Sequence, residues 1–383
     1  MEHHWSRVLF YLEWLVADQA DAVVFCRAGG LEYLSKFFHA LPSLNNASQK
    51  PAWTGAKMEP FVARALRIFQ CSIKWMAEEL DGPADQMKVA ALEQWEKKDE
   101  TVKKLLLVCV MFQSQHISSN CYCCLQVMAT VDRLSRVTVL QCLSDFHAMF
   151  TKQGVARLPH HLAMANPHQA EHTQNLNKLH EYYSFVREVI TVLVDEGRHK
   201  ADAGADMWDD SCTNACNVSL MVAMECPLTL GHLCDSFMEL VGVLADGSPD
   251  KVYQNDLFVP LVRHLFTEGS APKLTSSHTL QFVRKSIGAF RARLSPEELQ
   301  EIVGWCNKMI AQWLSSSESG AASVALVLIS VCLHDEAFRV PVMQNPVIVA
   351  AMDADVSSRL SDNRSMFTSV QNEWKNALES RKD

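Results

Sequence analysis

Apolar residues recur three and four positions apart along most of this chain, and the runs end at glycine, proline or capping residues without the alternation a strand requires. The clearest break lies between Phe25 and Leu41. There Gly29 and Gly30 can close one helix in a left-handed cap, while Leu31, Leu34, Phe37, Phe38 and Leu41 line one face of the next. The pattern predicts two or three helices over residues 4–41 and a loop over 42–57, where Pro42, Asn45, Asn46, Pro51 and Gly55 collect. A long helix over 58–80 carries Phe61, Val62, Ala65, Leu66, Phe69, Ile73, Met76 and Leu80, and Gly82-Pro83 ends it. Residues 99–151 predict three more helices, rich in Leu, Val, Cys and Met.

The periodicity then lapses twice. Residues 152–171 gather Gly154, Pro159, Pro167 and several histidines, which reads as an exposed connection; a helix over 172–195 follows. Residues 196–210, with Gly197, Gly204 and the acidic Asp202, Asp206, Asp209 and Asp210, read as a mobile segment. The expected organisation is an N-terminal helical stack over 1–151, an irregular connection with one long helix over 152–210, and a C-terminal stack over 211–383. In the last stack Leu230, Leu233, Phe237, Leu240, Val241 and Leu244 fall on one helical face. Ser295 is placed to cap a helix, with Pro296 at its first position and Glu298 able to return a bond to the cap. Asn345-Pro346 opens a further helix, and the final one, near 362–379, is polar enough to close the end of a stack.

These elements predict an all-α protein whose helices bury themselves against one another. Two segments, Ala28–Phe38 and Asn255–Phe266, resemble the last helix of armadillo repeats, in which a capping residue precedes a hydrophobic helix with a small residue or proline near its start. In the second, Pro260-Leu-Val-x-x-Leu sits where the family often carries Pro-x-Leu-Val-x-Leu-Leu; proline in a first turn lacks only a hydrogen bond it would not have made. The chain therefore looks like a divergent armadillo- or HEAT-like α-solenoid, and its N-terminal third also looks like the helical regulatory region of formins. The resemblance implies a protein that binds other proteins along a concave face, alone or as a subunit of a larger assembly.

Charge narrows the partners. Thirty-five basic against 44 acidic side chains give a net charge of -9, which disfavours nucleic acid as the main partner. The strip of Arg284, Lys285, Arg291 and Arg293 reads as a solvated helix face. The first apolar run, Val8–Ala17, is interrupted by Glu13 and does not look like a signal peptide, and no stretch has the roughly 20 apolar residues of a membrane span. Thirteen cysteines, several on apolar faces as Cys71, Cys109, Cys142, Cys306 and Cys332 are, suit buried thiols in a reducing, intracellular compartment, cytoplasmic or nuclear.

Candidate chemistry is sparse, and no cofactor is called for. The chain has no Gly-x-x-x-x-Gly-Lys phosphate loop, no Gly-x-Gly-x-x-Gly and no Gly-x-Ser-x-Gly elbow. His180-Glu-Tyr-Tyr-Ser begins like a zinc-protease signature, but Ser184 stands where the second histidine belongs. His160, His161, His168, His172 and His180 lie close in sequence, and Cys212, Cys216, Cys226 and Cys234 supply four thiols, so a metal-binding or enzymatic site built from these two regions is the alternative to a scaffold. Cys121, Cys123 and Cys124 are too close for a Cys-x-x-Cys hairpin. Trp5, Trp14, Trp75, Trp95, Trp305 and Trp313 fall at helical spacing and read as core, whereas Trp53 and Trp208 lie in polar loops and are expected partner anchors.

Overall fold

A computed structural model describes residues 2–40, 59–77, 95, 98–111, 115–131, 133–152, 180–195, 211–226, 230–266, 271–316, 320–353 and 363–380, and every regular element among them is a helix. The chain is therefore all-α. It divides into two compact units, residues 1–218 and 219–383. In the first, α1 spans Glu2–Leu15, α2 Gln19–Arg27, α3 Gly30–His39, α4 Glu59–Ala77, α5 Lys98–Met111, α6 Gln115–Val131, α7 Arg133–Lys152 and α8 residues 180–195. The helix α9, Ser211–Glu225, contains the division. In the second unit α10 spans Gly231–Gly247, α11 Pro249–Tyr253, α12 Phe258–Leu265, α13 Ser277–Ala292, α14 Pro296–Ser315, α15 Ala321–Leu333, α16 Glu336–Gln344, α17 Pro346–Asp353 and α18 Arg364–Glu379, with a 3₁₀ turn at Ala271–Thr275.

The first unit is organised around α4. Helices α1, α2, α3 and α6 pack against it, and α5 packs on α3, α6 and α7. Of the stripe predicted for α4, Val62, Ala65, Leu66, Phe69 and Ile73 are inaccessible or nearly so and Phe61 is half-buried, while the Met76 side chain and Leu80 lie outside the described residues. Phe38 meets Phe69 edge-on at 5.7 Å and Phe69 meets Trp95 at 5.5 Å, contacts that add about 1 kcal/mol each beyond the area they bury. The two glycines divide their labour. Gly29 takes φ +84°, which a side chain resists; Gly30 is already helical, and a Cβ there would meet the Phe25 ring at 2.4 Å. Leu31, Leu34, Phe37 and Phe38 of α3 are buried as predicted, while Leu41 lies outside the described residues.

The second unit is centred on α15, which is apolar all round and is packed by α13, α14, α16 and α18, so that every residue from Val324 to Leu333 is buried. Around it the predicted starts are present. Ser295 Oγ accepts from the Glu298 N–H and the Glu298 carboxylate accepts from the Ser295 N–H, a complete capping box with Pro296 at the first helical position. Pro260 lies in the first turn of α12, where Phe258, Leu261, Val262 and Leu265 are buried. The polar α18 is amphipathic rather than wholly solvated: Phe367, Val370, Trp374 and Ala377 are buried, and α18 packs on α15.

The basic strip is exposed at Lys285, Arg291 and Arg293, as a solvated face would be, and half-buried at Arg284, and each of its four cations has a partner. Arg284 contacts Ser330 Oγ and sits 3.0 Å from Glu373, joining α13 to α15 and α18. Lys285 pairs with Asp246, Arg291 with Asp335, and Arg293 donates to the carbonyls of Tyr253 and Asn255. Spacing showed a cationic face; only the fold supplies the anions and carbonyls opposite it.

Candidate functional site

The helix α1 has two apolar sides. Leu9 and Val16 are buried, and on a 100° wheel they centre opposite an arc formed by Phe10, Trp14, Arg7 and Tyr11. That arc faces solvent: Phe10 is 57% exposed, Tyr11 67% and Trp14 75%. A helix that only had to pack on α4 would need one apolar stripe, so the second has no role in the core. Phe10 and Tyr11 meet edge-on at 5.9 Å, and the Arg64 guanidinium lies over the Phe10 ring at 5.6 Å. The rings thus hold one another in place while leaving most of their surface wet. Leaving three large aromatics in water forgoes roughly 1.5–3 kcal/mol apiece relative to burial.

A cationic ridge borders the stripe on α4. Glu13, on the side of α1 turned toward α4, carries two arginines: Arg64 Nε is 2.7 Å from one carboxylate oxygen, and Arg67 Nε donates to the other at 2.8 Å. The Arg64 contact is a charge pair rather than a hydrogen bond, because its N–H is not aimed at the oxygen. Further along, Lys74 is exposed beside Trp75, whose indole donates to the Val16 carbonyl and fixes the end of α1 on α4. Between them Cys71 reports the local field. Partial burial raises its thiol pKa, Lys74 and Arg67 oppose the rise, and Glu13 adds to it.

The residues singled out in the sequence fall elsewhere. Trp53, Trp208, His160, His161, His168 and His172 lie outside the described residues, and His180 is exposed at the start of α8. Cys212 and Cys216 bring their sulfurs to 3.9 Å, fully buried. Cys226 and Cys234 are a second buried pair, Cys226 Sγ donating to the Leu230 carbonyl and Cys234 Sγ to that of Ala223, beside Lys273, whose ammonium donates to the Ala223 and Met224 carbonyls at the end of α9. The neighbouring Cys226 thiol, whose effect outweighs the opposing burial, and the nearby ammonium bring the Cys234 thiol down to about 7, while the Cys234 thiol and burial raise Cys226. Each pair offers two ligands where structural zinc takes four, and among the described residues no three His, Cys, Asp or Glu side chains converge.

Two sequence readings are corrected here. Trp14 is not core but the most exposed of the large apolar side chains on α1, and Cys71 is exposed rather than on a buried face. Periodicity could not place Trp14, because both faces of α1 are apolar at helical spacing and only packing chooses which is covered; Cys71 falls opposite the Val62, Ala65, Leu66, Phe69 and Ile73 stripe of α4, so there periodicity argued for exposure. Of the other tryptophans, Trp95 is buried, Trp75, Trp305 and Trp313 are half-buried, and the Trp5 side chain lies outside the described residues. Cys142, Cys306 and Cys332 are buried as expected.

The chain matches no protein-family model and no curated protein. Among the described residues, an open groove of about 230 Å³ lies between α10 and α13, lined by Gly242, Asp246, Tyr253, His278, Phe282 and Lys285. There Lys285 Nζ lies 3.0 Å from each Asp246 oxygen, and His278 Nδ1 is 3.0 Å from Asp235, so these groups already face each other. Among the described residues no helix is long and apolar enough to cross a membrane.

Proposed function

We propose that this protein is a non-enzymatic, intracellular protein-binding scaffold, a helical-repeat solenoid of armadillo or HEAT type, and that the outer face of α1 is one of its docking surfaces. The observation that carries the reading is the solvent-facing arc of Phe10, Tyr11 and Trp14 on a helix whose opposite side already satisfies the core. Aromatic side chains with few rotatable bonds are the commonest anchors of protein interfaces, since they bury much area for little lost entropy. The solenoid part is supported by the resemblance of Ala28–Phe38 and Asn255–Phe266 to armadillo helices, and by packing between helices close in sequence within each unit.

A photo-crosslinking phenylalanine placed at Tyr11 in the native cell, compared with one at the exposed Val347 of α17, tests the docking face. The reading predicts protein adducts specific to the Tyr11 probe that vanish when Phe10→Ser and Trp14→Ser are added. Identical adduct patterns from the two positions, or adducts at Tyr11 consisting only of a second copy of this chain, would overturn it.

A further inference from the structure

The chemistry of the border selects the partner, given that the α1 arc is a protein-docking face. Arg7 occupies the arc itself, Arg64 stacks over Phe10, Arg67 shares Glu13 with it, and Lys74 continues the ridge along α4. Among the described residues, Arg7 on α1 and Arg64, Arg67 and Lys74 on α4 set four cations against the carboxylate of Glu13, with Asp18 and Asp21 beyond the end of α1, on a chain whose net charge is -9. Asp18, which follows α1, turns its carboxylate back to accept from the N–H groups of Ala20 and Asp21, so it serves as the cap of α2. A local field opposite in sign to the whole molecule steers an acidic partner to this face, while the chain's overall charge repels such a partner from elsewhere.

The dimensions fit a short helix. Residues 7 to 14 rise by about 10 Å, two turns, which matches apolar side chains at i, i+3 or i+4 and i+7 on a partner helix. A single-stranded nucleic acid would need open, roughly parallel ring faces; Phe10 has Arg64 over one face and meets Tyr11 at 77°. A lipid surface would need a broad apolar face, whereas Arg7 lies inside this one. We infer that the α1 face, with its Arg7, Arg64, Arg67 and Lys74 border, receives an acidic amphipathic helical segment of a partner protein. Its apolar side chains would seat on Phe10, Tyr11 and Trp14, and its carboxylates would meet the border cations.

Selection of a random peptide-display library on the whole chain tests this, with fluorescence anisotropy of the enriched peptides as the readout. Enriched peptides should combine Asp or Glu with apolar residues three and four apart. They should bind about tenfold more weakly after Arg7→Glu with Lys74→Glu, and more weakly as salt rises. Trp14→Ser, at an exposed position that leaves the circular dichroism unchanged, should abolish binding. Peptides that lose binding with Trp14→Ser but ignore the charge reversal would sink the acidic partner and leave the docking face standing. Peptides indifferent to both changes, or no enrichment at all, would sink both. Binding of poly(dT) or phosphatidylserine vesicles that needs Trp14, with no peptide selected, would replace the peptide partner by that ligand.

Discussion

Trp95 donates its indole N–H to the Ser35 hydroxyl oxygen at 2.9 Å, in a position where neither residue is reached by solvent to any extent. Ser35 in turn donates to the Leu31 carbonyl at 2.8 Å and accepts from the Thr101 hydroxyl at 2.8 Å, so its one hydrogen and two lone pairs are all engaged. One small hydroxyl thereby ties α3, Trp95 and α5. Ser35→Ala should destabilise the N-terminal unit by about 1–3 kcal/mol, because it strands a buried indole N–H. In a urea-unfolding cycle, Trp95→Phe should cost less on the Ser35→Ala background than on the wild type. Additive losses would mean that the bond contributes nothing.

The paired glycines are expected to fail differently. Gly29→Ala forces a Cβ into a left-handed backbone and should cost about 1–2 kcal/mol whatever surrounds it. Gly30→Ala instead drives a methyl against the half-buried Phe25 ring. Phe25→Ala should therefore relieve part of the Gly30→Ala loss in thermal melts and none of the Gly29→Ala loss.

Asp235 gives the second unit a pH signature. Burial raises its pKa, but hydrogen bonds from Ser276 and His278 and the charge of His278 outweigh that and hold the carboxyl below its usual value. A depressed folded-state pKa means that the ionised group stabilises fully above the unfolded value, near 3.8, and that this is lost as pH falls through the folded value. Asp235→Asn should destabilise the chain in urea at pH 7, and the gap to wild type should narrow below pH about 4. A gap independent of pH would show that the carboxylate's charge is not what His278 recognises.

Cysteine reactivity should separate by burial. Cys71 and Cys123 are exposed, whereas Cys26 and Cys142 are buried and their thiols are pushed up to about 12, chiefly by desolvation. Mass mapping after brief maleimide treatment of the native chain at pH 7 should find Cys71 and Cys123 modified well before Cys26 and Cys142. Equal labelling would contradict the packing of α2 and α7.

Local chemistry made much of the fold legible. The capping box at Ser295 and Glu298, the left-handed Gly29 and the buried stripe of α4 each follow from bonds or contacts within a few residues, so sequence carries them. The candidate face was not legible in the same way. Trp14 reads as core because its spacing from Phe10 and Tyr11 is that of any apolar stripe, and a helix with two such stripes does not announce which one its neighbour covers.

What the sequence determined by itself is the all-helical class, several helix boundaries and the shortage of catalytic motifs, since propensity, capping and periodicity act over one or two turns. What tertiary structure decided is which apolar side of α1 meets α4, and which anions meet Arg284, Lys285 and Arg291. Those outcomes depend on groups tens of residues apart along the chain, whose meeting is fixed by close packing of whole helices and by no local rule.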